Sequence, residues 1–496
     1  MIHSRQFILS DSEYLVDNTW NTLRLFNNKI FSYSALLNVM HNADYSILIV
    51  GHVWQSDSKR KDPQDIIDLW NNDTKLEEIY EQEDTWCGRY IIITPRDIIT
   101  DATASFSVFY ADNVVSSSLY LAHSVFHQPY NMSSGDKVNI DWFKEFQYPD
   151  GITEEQMKNP SIVDYFPGPT TFYKDIKRLL PSEVYSYISN KTSFRPLLLN
   201  TYNITDSERL DNFAETFVHS LKEMASTYKD SELWLAISGG KDSRTCLAAL
   251  TWIKTIPFRM FTIYKRDATM TEGYPDYMCS KLLSRITNTR MVVIRYLSKK
   301  CKNDLLKNLL IHNSGLAMSK VRYQYCWQLF SQIQKNGGVV VKNQIWELIT
   351  GAYNNDEHFN TPQGLISIFS EKGKAFEYAS QAYTEHIKYD AINSNISFGD
   401  RVYWDLRCGS WIADNLQGYD ILNNVEIVQV FNCRRFIELL IGMDDEYRHS
   451  RQYEIDLTEK WCPAMKGIPY DDTYSDIWMH IKKCYARVIR KMKKIF

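Results

Sequence analysis

Several things are missing from this 496-residue chain, and each absence removes a class of function. Its nine cysteines stand singly, with no CxxC pair and no Cys/His spacing suited to a metal. That usage excludes a zinc-ribbon or disulfide scaffold and fits a reduced, cytoplasmic chain. No apolar run approaches the roughly 18 residues needed to span a bilayer. The opening MIHSRQFILSDSEYLVD carries acids too early for a secretory signal. Basic residues are not in excess: 56 Lys and Arg stand against 60 Asp and Glu, so composition offers no nucleic-acid footprint. There is no internal repeat, no low-complexity tract, no Walker A loop and no G-x-G-x-x-G.

What is present is an ordinary globular composition, 44% hydrophobic and 23% charged, with aromatic content raised to 14%. The length suits two domains, each with its own core. The first part reads as strands with a few helices. YSILIVGHVW (45–54), GRYIIIT (88–94) and the weakly alternating ATASFSVFYA (102–111) are strand candidates, and Pro63 marks a helix start. Residues 164–187, rich in Pro and Gly, read as the passage to the next domain.

From about residue 205 helix and strand alternate. TDSE (205–208) is a capping box, followed by a helical stripe of Leu210, Phe213, Phe217, Leu221 and Met224. Strands are expected at 233–237, 258–264, 291–296 and 337–342, and helices at 243–253, 275–286, 303–312 and 320–334. Continuous apolar strands separated by helices indicate a doubly wound parallel sheet. The remainder, about 363–496, reads mostly as helix.

The most specific stretch is ELWLAISGGKDSRTCLAAL (232–250). A buried strand runs into Ser238-Gly239-Gly240-Lys241-Asp242-Ser243 and then into a helix. In an open parallel sheet, ligands bind at the carboxyl ends of strands, where helix N-termini present free N–H groups. Gly239 and Gly240 permit positive φ, which would let successive N–H groups converge on an anion. Ser238 and Ser243 add hydroxyl donors. Asp242 would repel a bare phosphate and makes chemical sense with Mg²⁺ between them.

This S-G-G-x-D-S pattern resembles the pyrophosphate loop of the N-type ATP pyrophosphatases, which cut ATP between the α- and β-phosphates. Its five fixed positions recur by chance roughly once per million sites. Within that group, the preceding 200 residues resemble the asparagine synthetase family, through TWCGRYIIITPRDIITDATASFSVFY, SSSLYLA and TTFYKDIKRLLPSEVYSY. The resemblance implies a degenerate Ntn-hydrolase-like αββα sandwich over 1–200, followed over 201–496 by a doubly wound ATP pyrophosphatase domain with a helical C-terminal part. Glutamine-using members begin, after Met removal, with a nucleophilic Cys. This chain has Met1-Ile2-His3 and its first cysteine at Cys87, so no glutaminase activity is expected. Relatives lacking that Cys include β-lactam, carbapenam and lasso-peptide macrolactam synthetases, in which a carboxylate is adenylated and attacked by an amine.

The resemblance therefore implies an ATP- and Mg²⁺-dependent, amide-forming ligase. The nucleotide set is Ile237, Ser238, Gly239, Gly240, Lys241, Asp242 and Ser243, with backbone at Thr262, Ile263 and Tyr264 beside adenine. Asp242 and Glu347 are the expected metal ligands, although Lys342-Asn343-Gln344 stands where the family has Gly-Glu-Gly-Ser. Lys466, in WCPAMKGIPYDD, matches a lysine that neutralises the α-phosphate in the transition state; a plain surface lysine is the other reading. Arg407, Asp420 and Arg434 face either a carboxylate substrate or ionic partners, with ion pairing favoured. The substrates implied are a small-molecule, peptide or glycan carboxylate and an amine. Ammonia-dependent amidation of a sugar or peptide carboxylate and an inactive binding scaffold are the rivals, and tRNA modification is weaker. The tail HIKKCYARVIRKMKKIF is expected to form a basic amphipathic helix, docking on its own domain, on anionic lipid or on an acidic partner.

Overall fold

Runs of β-branched and aromatic residues form three sheets in the computed structural model. It describes residues 3–127, 168–169, 171, 175–198, 202–265, 274–296, 333, 337–353, 396–421 and 424–470. The helix expected at 303–312, that at 320–334 apart from residue 333, and the basic C-terminal helix lie outside the described residues, as does a third of the 164–187 passage.

The first two sheets are antiparallel and six-stranded. One runs in the order β10 (Lys177–Arg178), β8 (Phe109–Ala111), β9 (Val114–Ser116), β1 (Phe7–Ser10), β3 (Ile30–Ser34), β2 (Trp20–Arg24). The other runs β12 (Lys191–Phe194), β11 (Glu183–Ser186), β7 (Asp97–Thr100), β6 (Trp86–Ile93), β5 (Leu48–Gln55), β4 (Val39–His41). Side-chain alternation decides which residues face which layer. Phe7, Leu9 and Phe31 of the first sheet pack against Leu48, Val50, Ile91 and Ile93 of the second. The opposite face of the second sheet, Ile47, Ile49 and Ile92, packs on Ile66, Ile67 and Ile79 from the helices Pro63–Ile67 and Leu76–Glu83. Ile8, on the outer face of the first sheet, packs on Leu121 of the helix Leu119–His127. The layers therefore run helix, sheet, sheet, helix.

Within this part ATASFSVFYA is only partly strand. Residues 102–108 instead wrap the buried carboxylate of Asp101, which accepts from the N–H groups of Tyr90, Thr103, Ser105 and Phe106 and from the Ser105 hydroxyl, at 2.8–3.2 Å. Five bonds to one carboxyl group outweigh what a weakly alternating strand would gain.

The third sheet is parallel and five-stranded: β15 (Met291–Tyr296), β14 (Phe258–Lys265), β13 (Leu233–Ala236), β16 (Gly338–Lys342), β17 (Val425–Gln429). The chain runs outward from β13 to β15 and then crosses to β16 on the other side. The topological switch point thus lies between β13 and β16. The helix Asp206–Thr227 packs Phe213, Phe217, Leu221 and Met224 into the core beside this sheet. Its capping box is complete: Glu208 N–H donates to the Thr205 hydroxyl at 3.3 Å, and Thr205 N–H donates to Glu208 at 2.8 Å. The described residues after 396 are mostly helix, as expected, and β17 is the strand among them. Val-Glu-Ile-Val-Gln is an edge strand whose apolar residues pack inward, and its Glu426 carboxylate lies 2.7 Å from His52 Nε2. Among the described residues no helix is long and apolar enough to cross a membrane.

Buried polar groups join the antiparallel and parallel parts. Arg89 holds Asp420 through two bonds of 2.7 and 2.9 Å, and Glu83 is shared by Arg195 and Arg434. Asp420 and Arg434, weighed as substrate-facing groups, are thus both anchors at this junction. Trp404 Nε1 donates to the Ala102 carbonyl at 2.7 Å, and Ser182 bonds Asp405 through both its N–H and its hydroxyl.

Candidate functional site

At the switch point the carboxyl ends of β13, β14 and β16 open into a cavity of about 320 Å³. Ile237, Ser238, Asp242 and Ser243 from the first turn, Thr262 and Ile263 from β14, and Lys342, Asn343, Gln344 and Glu347 after β16 all line it. Residues separated by more than a hundred positions are gathered because parallel strands end at a common level. Tyr264 lies in β14, with its side chain outside the described residues.

The turn itself departs from its expected conformation. Neither Gly239 nor Gly240 adopts positive φ; Gly240, at φ −73° and ψ 173°, is the extended N-cap of the helix Lys241–Ile253. A Cβ at Gly240 would lie 3.4 Å from Ser238 Oγ, an ordinary contact, so neither positive φ nor crowding demands glycine at that position. The two serines organise the turn. Ser238 N–H donates to Ser243 Oγ at 3.1 Å, Gly240 N–H donates to Ser238 Oγ at 3.2 Å, and the two hydroxyls lie 3.1 Å apart. Gly239 N–H donates to Asp276 Oδ1 at 2.7 Å. Asp276, from the first turn of the helix Tyr274–Ile286, also lines the cavity.

Behind the turn lies a second layer of charge. Arg451, held at φ 61° before the helix Gln452–Trp461, bonds Asp242 Oδ1 and both carboxylate oxygens of the buried Glu454. Burial pushes the Glu454 carboxyl above its usual range, and Arg451 partly draws it back. Arg244, almost fully buried, donates to the Ile468 and Pro469 carbonyls at 2.8 Å each. Tyr470 lies under both Arg244, at 3.8 Å, and Lys241 Nζ, at 4.9 Å.

This docking sets where Lys466 stands. With 468–470 fixed against Arg244, Lys466 falls on the outer turn, 72% exposed and paired with Glu459 at 2.6 Å. It is absent from the cavity wall. The lysine on that wall is Lys342 at the end of β16, buried and 4.1 Å above the Tyr419 ring. Its position at a strand's carboxyl end was the sequence signal for it. Nothing in the local sequence marked Asp276 or Arg451.

Glu347 is on the cavity, where its Oε2 accepts from the Tyr403 hydroxyl at 2.5 Å. Burial, with Glu347 adding to it, pushes the Tyr403 pKa well up, so the phenol stays a donor. The Asn343 carboxamide is buried with neither polar atom in a full hydrogen bond; the Cys246 thiol beside it is a weak partner. Arg407 stacks on Trp411, another wall residue, at 3.5 Å, and so acts behind the wall. Among the described residues no three His, Cys, Asp or Glu side chains gather as a metal site. A Mg²⁺ shared with phosphate oxygens needs only one or two carboxylates, which Asp242 and Glu347 can offer. In the antiparallel part Cys87 is fully buried within β6, opposite Cys433, and burial raises its thiol pKa. A thiol so placed is no nucleophile.

No protein-family model matches this sequence, and no curated protein matches it significantly. Among solved structures, NMN synthetase from Francisella tularensis aligns over 53% of this chain and 95% of its own, at 11% identity and a TM-score of 0.21. A likeness that slight carries no functional weight.

Proposed function

We propose that the chain is an ATP-dependent ligase that adenylates a carboxylate, joins it to an amine and releases AMP and pyrophosphate. One observation carries this reading. The Ser-Gly-Gly-Lys-Asp-Ser turn stands at the carboxyl end of the middle strand of a parallel sheet, at its switch point, and opens into a cavity of about 320 Å³. Its serine hydroxyls, the glycine N–H groups and Lys241 would cradle the β- and γ-phosphates, and Asp242 and Glu347 would hold Mg²⁺. The bound ion would neutralise charge on the departing pyrophosphate. Backbone at Thr262 and Ile263 would meet the adenine. Lys342, which lines the cavity where the exposed Lys466 does not, would supply the fixed positive charge beside the α-phosphate. The division into a glutaminase-like part without activity and an asparagine-synthetase-like ATP part belongs to the same proposal. The amine is free, or ammonia itself in the rival form of the reaction. The acceptor is a small-molecule, peptide or glycan carboxylate. The basic tail gives a further contact with an acidic partner or a membrane surface.

The second reading, a binding scaffold, is favoured by one specific feature: the N–H groups of Ser238, Gly239 and Gly240 are all bonded within the protein. Product analysis separates the two. With labelled ATP, Mg²⁺ and an extract as a source of acceptors, the ligase yields AMP and pyrophosphate. Formation of ADP and phosphate without AMP, or no turnover at all, defeats it.

A further inference from the structure

A second cavity, of about 290 Å³, opens between the start of the helix Asp206–Thr227 and the helices Phe398–Val402, Arg434–Ile441 and Asp445–His449. None of its wall residues belongs to the switch-point cavity, so it stands apart from the ligase reading. Two arginines line it, and both are more than nine-tenths buried. Arg448 donates through Nη2 to Asp400 Oδ2 at 3.0 Å and to Asp445 Oδ1 at 3.1 Å, yet its Nε and Nη1 have no acceptor. Arg209 bonds the Tyr202 carbonyl and, among the described residues, pairs with no carboxylate. It lies over Gly442, where a Cβ would come within 2.5 Å of its Nη1, so the absent side chain leaves the guanidinium its place. Asp400, equally buried on the same wall, leaves Oδ1 without a donor. Glu438 accepts there from the Tyr202 hydroxyl at 3.5 Å, and Leu198, Ile396 and Ile441 supply an apolar side.

Unmade hydrogen bonds on buried polar groups are costly and call for something that completes them. Here the incomplete groups are of both signs. A lone anion would suit the arginines but face the open oxygen of Asp400, and a lone cation would do the reverse. A molecule carrying both a carboxylate and an ammonium completes the two together. We propose that this cavity binds a free amino acid with an apolar side chain. Its carboxylate is taken by Arg448 and Arg209, its ammonium by Asp400, and its side chain by Leu198, Ile396 and Ile441. The volume is at the small end for ligand sites, which suits so small a molecule.

The test is calorimetric titration of the full-length protein with leucine, beside two analogues that each lack one charge. These are 4-methylpentanoate, without the amine, and 3-methylbutylamine, without the carboxylate. Leucine should bind, and each analogue should bind at least about tenfold more weakly, since each gives up hydrogen bonds to a charged partner. This comparison needs no substitution and so does not depend on a variant folding. Leu198→Trp locates the site, because it fills the void and leaves every charged group in place. With a parental melting curve it should lose leucine affinity by about tenfold or more. Should that variant unfold, slowed hydrogen exchange at residues 396–402 and 438–449 on adding leucine to the parent gives the same location. No binding of leucine at millimolar concentration overturns the proposal and leaves the cavity to water. Equal binding of either analogue overturns it, as does a folded Leu198→Trp protein that binds as the parent does, or exchange protection confined to other segments.

Discussion

Replacing Asp242 by Asn separates catalysis from folding, because the structure fixes what each loses. Asp242 is about one-quarter exposed and pairs with Arg451, which keeps both bonds to Glu454 after the change. An ion pair that accessible is worth about 0.2–1 kcal/mol. The favourable position in the first turn of the helix Lys241–Ile253 adds about 0.3–1 kcal/mol. Asn retains an acceptor for Arg451, so the summed loss should stay under about 2 kcal/mol, a shift of a few degrees in Tm for a chain of this size. The loss in turnover should be larger. A carboxylate that holds the ion on a departing pyrophosphate is worth about 3 kcal/mol or more, or about a 10²-fold fall in AMP formation. The assay is AMP released from α-labelled ATP in Mg²⁺, alongside thermal unfolding. A folded Asp242→Asn protein that forms AMP at the parent rate refutes the assignment.

Lys342→Met should lower AMP formation by about 10²-fold, with turnover falling more than ATP affinity, whereas Lys466→Met should stay close to the parent; the reverse result restores Lys466 to the site. Asp420→Ala should cost about 3–5 kcal/mol in denaturant unfolding because it leaves Arg89 buried and unpaired, and Arg89→Met with Asp420→Leu should recover much of it. Burial pushes the carboxyls of Glu183 and Asp405 up to about 8 and about 7 respectively. The folded state therefore keeps protons that the unfolded chain releases, so their stabilisation is full below about pH 4 and is lost as pH rises through 7 to 8. Glu183→Gln removes one of these losses, and its Tm relative to the parent should rise between pH 5 and pH 8; a constant difference would show that Glu183 is ionised throughout.

The turn was legible because its chemistry is contiguous: two hydroxyls, two glycines and a carboxylate follow one apolar strand. The parallel strands β13 to β16 were legible for the same reason, as buried runs carrying their own signal. β17 was hidden because Val425–Gln429 is short and is flanked by helical sequence, so only its pairing with β16 defines it. The two antiparallel sheets were visible as single strands, while their stacking follows from which face each residue points to. Local competition misled at 102–108, where Asp101 collects backbone donors that a strand would have used.

The site was legible only in part, because electrostatics is tertiary. The sequence placed a lysine near the phosphates from a late Lys-Gly segment, yet Arg244 holds the backbone of Ile468 and Pro469 and leaves Lys466 outside. Lys342 takes the wall instead because it ends a strand beside β13. The groups that tune the turn come from far along the chain: Asp276 lies 37 residues from Gly239, and Arg451 lies 209 from Asp242. A motif can name the donors, but the charge those donors face is set by whatever else the fold brings there. Here the N–H groups of Ser238, Gly239 and Gly240 are each bonded within the protein, so the turn can bind an anion through them only by giving up those acceptors, and that exchange is what separates a phosphate loop from a turn that resembles one.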